Sequence, residues 1–248
     1  MSVSIVITTR NRAASLQRAL ASALEQTSDQ VVEIIVSDNG STDDTPDVIE
    51  TMRKGRKRFV KAYREDDMGI TEHWVKAASH AKGDWIKYVF DDDWIEPTCV
   101  EQLLAITDAD TLVAQCGGTF DWLGQECYTA PSGNLPSDVR NGRLSVSPVT
   151  ALHRRDALLR SFDQFALLPE YCITSGVGPC VLMNYGQVAA EPWRHAHTSE
   201  RLVWLGGNDL PGDSRSTTSR LKEMDPGLLG AGHEAAYDLI DRLARGEI

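Results

Sequence analysis

Apolar runs rich in β-branched residues alternate with amphipathic helical stretches along the first 90 residues of the chain. The predicted strands are residues 3–9, 31–36, 59–63 and 84–90, and the predicted helices are residues 15–24, 47–54 and 70–82. Strand and helix in strict alternation predict a mainly parallel sheet with helices on both faces, joined by right-handed crossovers. The fold class is therefore α/β with a Rossmann-like sheet.

Polar side chains follow three of these strands at the points where the strands end. They are Thr8, Thr9 and Arg10 after the first strand, Asp38 and Asn39 after the second, and Asp91, Asp92 and Asp93 after the fourth. The carboxyl ends of parallel strands lie at one edge of a sheet, and ligands of open α/β sheets bind at that edge. We therefore expect the three clusters to form one binding site.

The three consecutive carboxylates at residues 91–93 are the most informative of these clusters. Adjacent like charges repel, so packing stability does not account for them, whereas a divalent cation would. Mg²⁺ and Mn²⁺ prefer oxygen ligands and commonly share them with substrate phosphates. The alternative is a solvated loop in which Asp93 caps a helix that begins near Pro97.

Composition restricts the class of partner. The chain has 248 residues with 42% hydrophobic and 25% charged residues, which is typical of a globular protein of one domain. A formal net charge of -11 argues against nucleic acid or an anionic membrane as the main partner, so a metal or a local basic pocket must hold any bound phosphate. No leader or membrane-spanning run is evident. Five cysteines without CxxC spacing favour reduced thiols and a cytoplasmic location.

Three motifs in order carry a resemblance to a known family. Residues 4–12 (SIVITTRNR), 33–45 (EIIVSDNGSTDDT) and 81–86 (AKGDWI), followed by the acidic cluster, resemble the family-two glycosyltransferases of GT-A fold. The resemblance covers residues 1–105, the predicted nucleotide-sugar-binding half, and leaves residues 106–248 as the acceptor-binding half. It implies transfer of a sugar from a nucleotide diphosphate donor, assisted by Mg²⁺ or Mn²⁺, to a glycan or small-molecule acceptor.

The resemblance also implies roles for particular residues. Thr8 and Arg10 match positions that line the base pocket, and Asp38 matches a carboxylate that accepts a hydrogen bond from the base, usually uracil. Asp92 matches a direct metal ligand, with Asp91 nearer the ribose or a metal-bound water.

Several neighbouring residues are further candidates. Thr9, Arg12 and Asn39 lie in the donor loops, Asp67 lies in an acidic run beside them, and Asp93 is a second metal candidate. Phe90 stands where many family members carry an acidic residue. This departure favours a single protein ligand, with water and diphosphate completing the metal shell.

The second half offers weaker candidates. The resemblance implies inversion and a carboxylate base that deprotonates the acceptor hydroxyl, for which Glu170 is the first choice and Asp163 the second. Either can equally be a solvated surface carboxylate. His197 is a candidate metal ligand, against the alternative of a structural histidine. Residues 198–227 are predicted as a mobile segment before a C-terminal helix.

Three other functions occur on related sheets or on the same fold. A nicotinamide-dependent enzyme would need a GxGxxG loop after the first strand, and a nucleotidyltransferase would need a glycine-rich loop there, but residues 8–14 (TTRNRAA) contain no glycine. A non-catalytic nucleotide- or glycan-binding protein of degenerate GT-A fold stays open, as does a homodimer.

Overall fold

The computed structural model describes residues 1–56, 59–120, 125–127, 132, 134–206 and 226–248. Over these ranges the chain is an α/β protein, as predicted. Within them, no helix is long and apolar enough to cross a bilayer.

The first half follows the predicted alternation. Its elements are β1 (Val3–Thr9), α1 (Ala13–Leu24), β2 (Val31–Asn39), α2 (Thr45–Arg53), β3 (Val60–Glu65), α3 (Ile70–Ser79) and β4 (Trp85–Phe90). The four strands are all parallel and lie in the order β3-β2-β1-β4. This part of the sheet supplies the edge at which the site is built.

The second half adds shorter and more varied elements. They are β5 (Trp94–Ile95), α4 (Cys99–Ala105), β6 (Val113–Phe120), β7 (Gln125–Cys127), α5 (Leu135–Arg140), β8 (Ala151–Arg154), α6 (Arg155–Ser161), α7 (Glu170–Ser175), α8 (Pro179–Tyr185), β9 (His195–Leu205) and α9 (Pro226–Ala244). Short 3-10 helices occupy Pro148–Thr150, Phe162–Leu167 and Pro192–Arg194. The strands of this half extend the sheet beyond β4 in the order β8-β6-β9-β5, with β7 paired to β6.

Two apolar clusters cover the two faces of the sheet. Along β1, Val6 belongs to one cluster with Trp74 of α3, whereas Ile5 and Ile7 belong to the other with Leu16 of α1. Successive side chains of a strand point to opposite faces, so a strand covered on both sides must be apolar at nearly every position. That requirement accounts for the continuous β-branched runs of the sequence.

Three predicted boundaries need correction. Helix α1 begins at Ala13 rather than after Ser15, which is buried inside the helix. The Gly, Pro and Ser content of residues 119–141 is typical of hairpins and loops. Helix α5 nevertheless forms there, with the Asn134 side chain accepting a hydrogen bond from the Ser137 amide at 3.1 Å. The predicted mobile segment begins too early, because residues 198–205 belong to β9, where pairing with β6 fixes them. Residues 207–225 of that segment lie outside the described residues.

Candidate active site

The ends of β1, β2 and β4 bring the three polar clusters to one edge of the sheet. Thr9 pairs with Asp38 across the β1–β2 register, and Thr8 pairs with Phe90, directly before the acidic cluster, across β1–β4. We call this edge, with the loops that follow β1 to β4, the rim. The predicted proximity of the clusters is confirmed, while the chemical role of each residue stays a prediction.

The loops after β1 and β2 are joined through Asn11. The amide of Asn11 donates to the Ser41 hydroxyl at 2.8 Å, and its side-chain oxygen accepts the Thr42 amide at 2.7 Å. Asn11 has a φ of 52°, and asparagine tolerates this left-handed conformation better than most residues. The two loops therefore form one polar wall of the rim.

Asp38 is held inside this wall rather than projecting from it. Its side chain is 4% exposed, and its oxygens accept the Ser41 amide at 2.9 Å and Arg64 at 2.8 Å. Arg64 also donates to the Ser41 carbonyl at 2.8 Å. Asp38 is thus positioned by two partners, and a base that bonded to it would share its remaining acceptor capacity.

Asn39 and Asp67 shape the side of the rim that follows β3. The Asn39 amide group donates to the Met68 carbonyl at 2.9 Å and accepts the Met68 amide at 3.0 Å, which closes the loop before α3. Beside it, Arg10 forms an ion pair with Asp67 at 2.5 Å, with both side chains substantially exposed. Of the predicted donor residues, Arg10 and Asp67 are thus the most accessible to a ligand.

Arg12 lies behind the acidic cluster. Its guanidinium is 3.1 Å from Asp92 and 3.8 Å from Asp91, and only 4% of its side chain is exposed. Arg12 also stands at the start of α1, where its amide donates to the Thr45 hydroxyl at 3.0 Å. The residue predicted to bind the donor therefore contacts the predicted metal ligands in this structure.

Complete ionisation of the acidic cluster is unfavourable without a further cation. The pKa of Asp91 is raised to about 7, chiefly by burial and also by the charge of Asp92, against the opposing effect of the Arg12 guanidinium. A bound cation would stabilise the ionised form of such a carboxyl group. The residues present therefore fit a divalent cation.

The coordination that they fit is an open one. Within the described part of the chain, no three His, Cys, Asp or Glu side chains come together as metal ligands. Asp92, whose side chain is 21% exposed, can offer one ligand and leave the other positions to water and phosphate oxygens. Phe90 packs on Trp74 at a ring-centroid distance of 5.1 Å. The single-ligand expectation that its position suggested stays a prediction.

Asp93 has a different partner from Asp91 and Asp92. Its carboxylate accepts the backbone amide of Gly206 at 2.8 Å, and the residue is 5% exposed. Burial raises the pKa of Asp93 well above its usual range, and the charge of Asp92 adds to that effect.

Trp94 begins a planar stack beside the cluster. The Trp94 and Trp204 rings are nearly parallel at a centroid distance of 5.7 Å, and the Arg18 guanidinium lies 3.6 Å from the Trp94 ring centroid. Arg18 also donates to the Asp92 carbonyl at 3.2 Å. The stack therefore supports the peptide that carries the predicted metal ligand.

The candidates from the second half are more remote from the rim contacts. Glu170 is exposed in the first turn of α7, and Asp163 is exposed on the 3-10 helix that precedes it. No side-chain hydrogen bond or ion pair joins either carboxylate to another described residue. The prediction that one of them is the base rests on position alone.

His197 lies within β9, where it pairs with Gln115 of β6. Burial lowers the pKa of His197, and its Nε2 atom is buried without a hydrogen-bond partner among the described residues. His197 and Gly206 are nine positions apart in the sequence. At ~3.3 Å per strand residue, the distance between them is long compared with a metal–ligand bond. The structure thus gives no contact between His197 and the acidic cluster.

Arg18, Arg64 and Gly206 were not anticipated from the sequence. Arg18 lies on the polar side of α1, Arg64 at the end of a short strand, and Gly206 beside a punctuated segment. Each contacts a residue of the acidic cluster or Asp38 across a large sequence separation. Of the three, only Arg64 could have been indicated by the sequence, because the parallel pairing of β2 and β3 places it opposite Asp38.

Comparison with known proteins agrees with this geometry. The sequence model of Glycosyl transferase family 2 matches residues 4–129. The EpsH protein of Bacillus subtilis (strain 168) is 32% identical over 114 residues, which are 46% of this chain and 33% of EpsH. The chain spans about a third or less of the length of the first curated relatives that it matches.

Two solved structures show the same fold over nearly the whole chain. S. aureus TarS 1-349 in complex with UDP-GlcNAc has a TM-score of 0.62 and 20% identity, covering 99% of this chain and 72% of that one. Glucosyl-3-phosphoglycerate synthase from Mycobacterium tuberculosis, in complex with Mn²⁺, UDP and glucosyl-3-phosphoglycerate, has a TM-score of 0.60 and 16% identity, covering 99% and 80%. The predicted GT-A fold is confirmed.

Proposed function

Because the chain belongs to glycosyl transferase family 2, we propose that it transfers a sugar from a uridine diphosphate donor to an acceptor hydroxyl. The observation that carries this proposal is the rim, where Asp38 at the end of β2 and the acidic cluster directly after β4 lie on either side of the end of β1. This spacing suits a ligand with a base at one end and phosphates at the other. The UDP complexes of TarS and of glucosyl-3-phosphoglycerate synthase support uridine as the base.

In this proposal the wall after β1 and β2 binds the nucleoside. Thr8, Thr9 and Asp38 lie beneath the base, and Asn39 holds the loop that carries Asp67. Arg10 and Asp67, both accessible, border the donor and fix its orientation. Asp91 faces the ribose.

Asp92 would hold a divalent cation together with the donor diphosphate. When bound, the cation offsets the negative charge that develops on the departing diphosphate. The chain supports this arrangement by fixing Asp92 from two directions, with Arg12 on the carboxylate and Arg18 on the carbonyl. The Mn²⁺ complex of the synthase supports the choice of cation.

The acceptor hydroxyl loses its proton as it attacks the anomeric carbon, and inversion needs a base on that side. Glu170 is our first candidate because α7 packs on α3, whose first turn follows the rim loop. The Thr71 hydroxyl of α3 donates to the Ile173 carbonyl of α7 at 2.5 Å. Asp163 is the second candidate.

A thermal-shift panel of nucleotide sugars, each with and without Mn²⁺, tests the donor assignment. A ligand that binds only the folded chain raises the midpoint temperature of unfolding by mass action. We expect UDP-sugars with Mn²⁺ to give the largest shift. A panel without any nucleotide-dependent shift would contradict the proposal.

Asp92→Ala tests the site itself. We expect it to remove the Mn²⁺-dependent part of UDP binding, measured by calorimetry, while Asp29→Ala at the opposite edge leaves it unchanged. Unaltered affinity in Asp92→Ala would exclude the assigned site.

Release of UDP from the best donor separates an enzyme from a binding protein. We expect Glu170→Gln to slow that release at least ~100-fold, a common effect of losing a general base, with donor affinity retained. A wild-type chain that binds UDP-sugar and never releases UDP, with any acceptor tried, would favour the non-catalytic alternative.

A further inference from the structure

Gly206, the residue directly after β9, lies against the peptide of Asp92. A Cβ atom built on Gly206 would be 2.7 Å from the Asp92 carbonyl carbon and closer still to the carbonyl oxygen. These are backbone atoms, so they cannot move aside as the end of a flexible side chain can. Only glycine permits this approach.

One side chain holds Gly206 close to the Asp92 peptide. The Gly206 amide donates to the Asp93 carboxylate at 2.8 Å, and Asp93 is almost completely buried. Asp93 therefore directs its carboxylate towards the end of β9, while Asp91 and Asp92 direct theirs towards Arg12. Three adjacent residues of one type thus have two different sets of contacts.

The strands on either side of this contact are joined as well. Trp94 and Ile95 of β5 pair with Trp204 and Val203 of β9. The Trp204 indole also donates to the Glu96 carboxylate at 2.6 Å. The residues after Asp93 and those before Gly206 therefore form a short antiparallel ladder, and the Asp93–Gly206 bond continues it to the Asp92 peptide.

We propose that Asp93 is a positioning residue: its carboxylate holds Gly206 against the Asp92 peptide and so fixes Asp92 for the metal diphosphate. Asp93 is then not a metal ligand, in contrast to the expectation from the sequence. The inference rests on the proposed function for its consequence, but the Asp93–Gly206 contact can be measured without it.

Three variants separate positioning from ligation. Asp93→Asn keeps an acceptor oxygen for the Gly206 amide but cannot ionise, whereas Asp93→Ala loses both the acceptor and the ionisable group. Gly206→Ala keeps Asp93 and displaces the Asp92 peptide, and Gly230→Ala, on an open face of α9, is its matched control. All are made in the full chain, and circular dichroism confirms folding.

The first measurement is UDP affinity by calorimetry with and without Mn²⁺. We expect Asp93→Ala and Gly206→Ala to lose about 10–100-fold of the Mn²⁺-dependent affinity, as supporting residues of metal sites do, with binding of UDP alone unchanged. Asp93→Asn should stay within about threefold of wild type, and Gly230→Ala should match it. A defect in Asp93→Asn as large as in Asp93→Ala would show that the charge matters and would overturn the proposal.

The second measurement is hydrogen–deuterium exchange at the Gly206 amide. We expect at least ~10-fold faster exchange in Asp93→Ala than in wild type or Asp93→Asn, because an amide exchanges when its hydrogen bond is lost. If the Gly206 amide exchanged no faster in Asp93→Ala than in wild type, the proposed hydrogen bond to Asp93 would be wrong. If wild type binds no UDP while Gly206 is protected as expected, the proposed function fails and the contact stands.

Discussion

At the scale of single residues, the rim places a buried cation behind a group of carboxylates. Arg12 is almost completely buried, yet it contacts two acidic residues at the predicted metal position. Guanidinium suits this position because it stays charged at any accessible pH and can bond to two carboxylates at once. The cluster is thus partly neutralised by the chain before any ligand binds.

Removing the Arg12 guanidinium should therefore change both the stability of the fold and the extent to which Mn²⁺ stabilises it. We expect Arg12→Ala to lower the free energy of unfolding by about 2–4 kcal/mol, because two partly buried carboxylates lose their counter-charge. We also expect Mn²⁺ to stabilise this variant more than wild type, since the metal then supplies the missing charge. Urea unfolding with and without Mn²⁺ measures both effects.

Arg10→Ala is the matched control for Arg12→Ala. Arg10 pairs with Asp67, but its side chain is 47% exposed, so its loss should change the free energy of unfolding by less than ~1 kcal/mol. If Arg12→Ala proved as mild as Arg10→Ala, the role of Arg12 as buried counter-charge would be wrong.

At the scale of elements, the site depends on loops that are tied to one another after the strands have placed them. Asn39 bonds both backbone groups of Met68 and thereby closes the loop between β3 and α3. Asn39→Ala breaks both bonds, and we expect a loss of about 1–3 kcal/mol in unfolding free energy and weaker UDP binding. Asn39→Asp keeps only the acceptor for the Met68 amide. In a urea titration, its free energy of unfolding should therefore lie between those of wild type and Asn39→Ala. An Asn39→Asp variant less stable than Asn39→Ala would contradict this account.

Packing between α7 and α3 depends on a glycine that combines two requirements. Gly176 ends α7 with a φ of 72°, and a Cβ there would be 2.8 Å from the Trp74 ring. Gly142 has a similar φ of 66° but open space around it. Comparing the two alanine variants therefore separates backbone strain from steric overlap.

We expect Gly142→Ala to cost about 1 kcal/mol, the backbone cost alone, and Gly176→Ala to cost about 2–4 kcal/mol. Thermal or urea unfolding gives both values. Equal costs would mean that Trp74 moves aside freely and that α7 is not fixed on α3.

Sequence patterns predicted those parts of the fold whose signal is local. The runs of β1, β2 and β4 are apolar at nearly every position because both faces are covered, and their ends therefore located the rim. β9 was harder to predict, since its neighbour β6 is far away in the sequence. The same reason hid Gly206, whose requirement for glycine arises from a peptide 114 positions earlier.

For the candidate site, the sequence predicted which types of residue are present and at which edge of the sheet they lie, but not their contacts. Asp38 and the acidic cluster were located correctly at the rim, but which carboxylate faces which partner depends on long-range contacts. Asp93 illustrates this limit, because its neighbours in sequence bind Arg12 while it bonds to the end of β9. His73 shows the same limit. A polar residue of an amphipathic helix usually faces solvent, but His73 is buried against Ser37.

At the scale of the whole molecule, two buried imidazoles stay neutral at pH 7 in the folded chain. Burial lowers the pKa of His73 to about 4 and that of His153 to about 4. His73 bonds to the Ser37 hydroxyl at 2.9 Å, and His153 bonds to the Asn184 side chain at 2.9 Å. One residue lies on α3 in the first half of the chain and the other on β8 in the second half.

These two histidines should make the fold sensitive to acid. In the unfolded chain an imidazole takes up a proton near pH 6.5, whereas in the folded chain it does so only near pH 4, so the unfolded state binds more protons between these values. The contribution of each histidine to the free energy of unfolding should therefore fall as the pH drops from 6.5 to 4, by on the order of 3 kcal/mol. Asp91, whose pKa is raised in the folded chain, contributes with the opposite sign, so the histidine contribution is measured as the difference between variant and wild type. Urea titrations at several pH values measure this slope. His73→Gln and His153→Gln remove one titrating group each, so both variants, whatever their stability at pH 7, should show a shallower decline than wild type. Curves parallel to wild type would mean that these imidazoles are protonated in the folded chain, or that their burial is relieved before it unfolds.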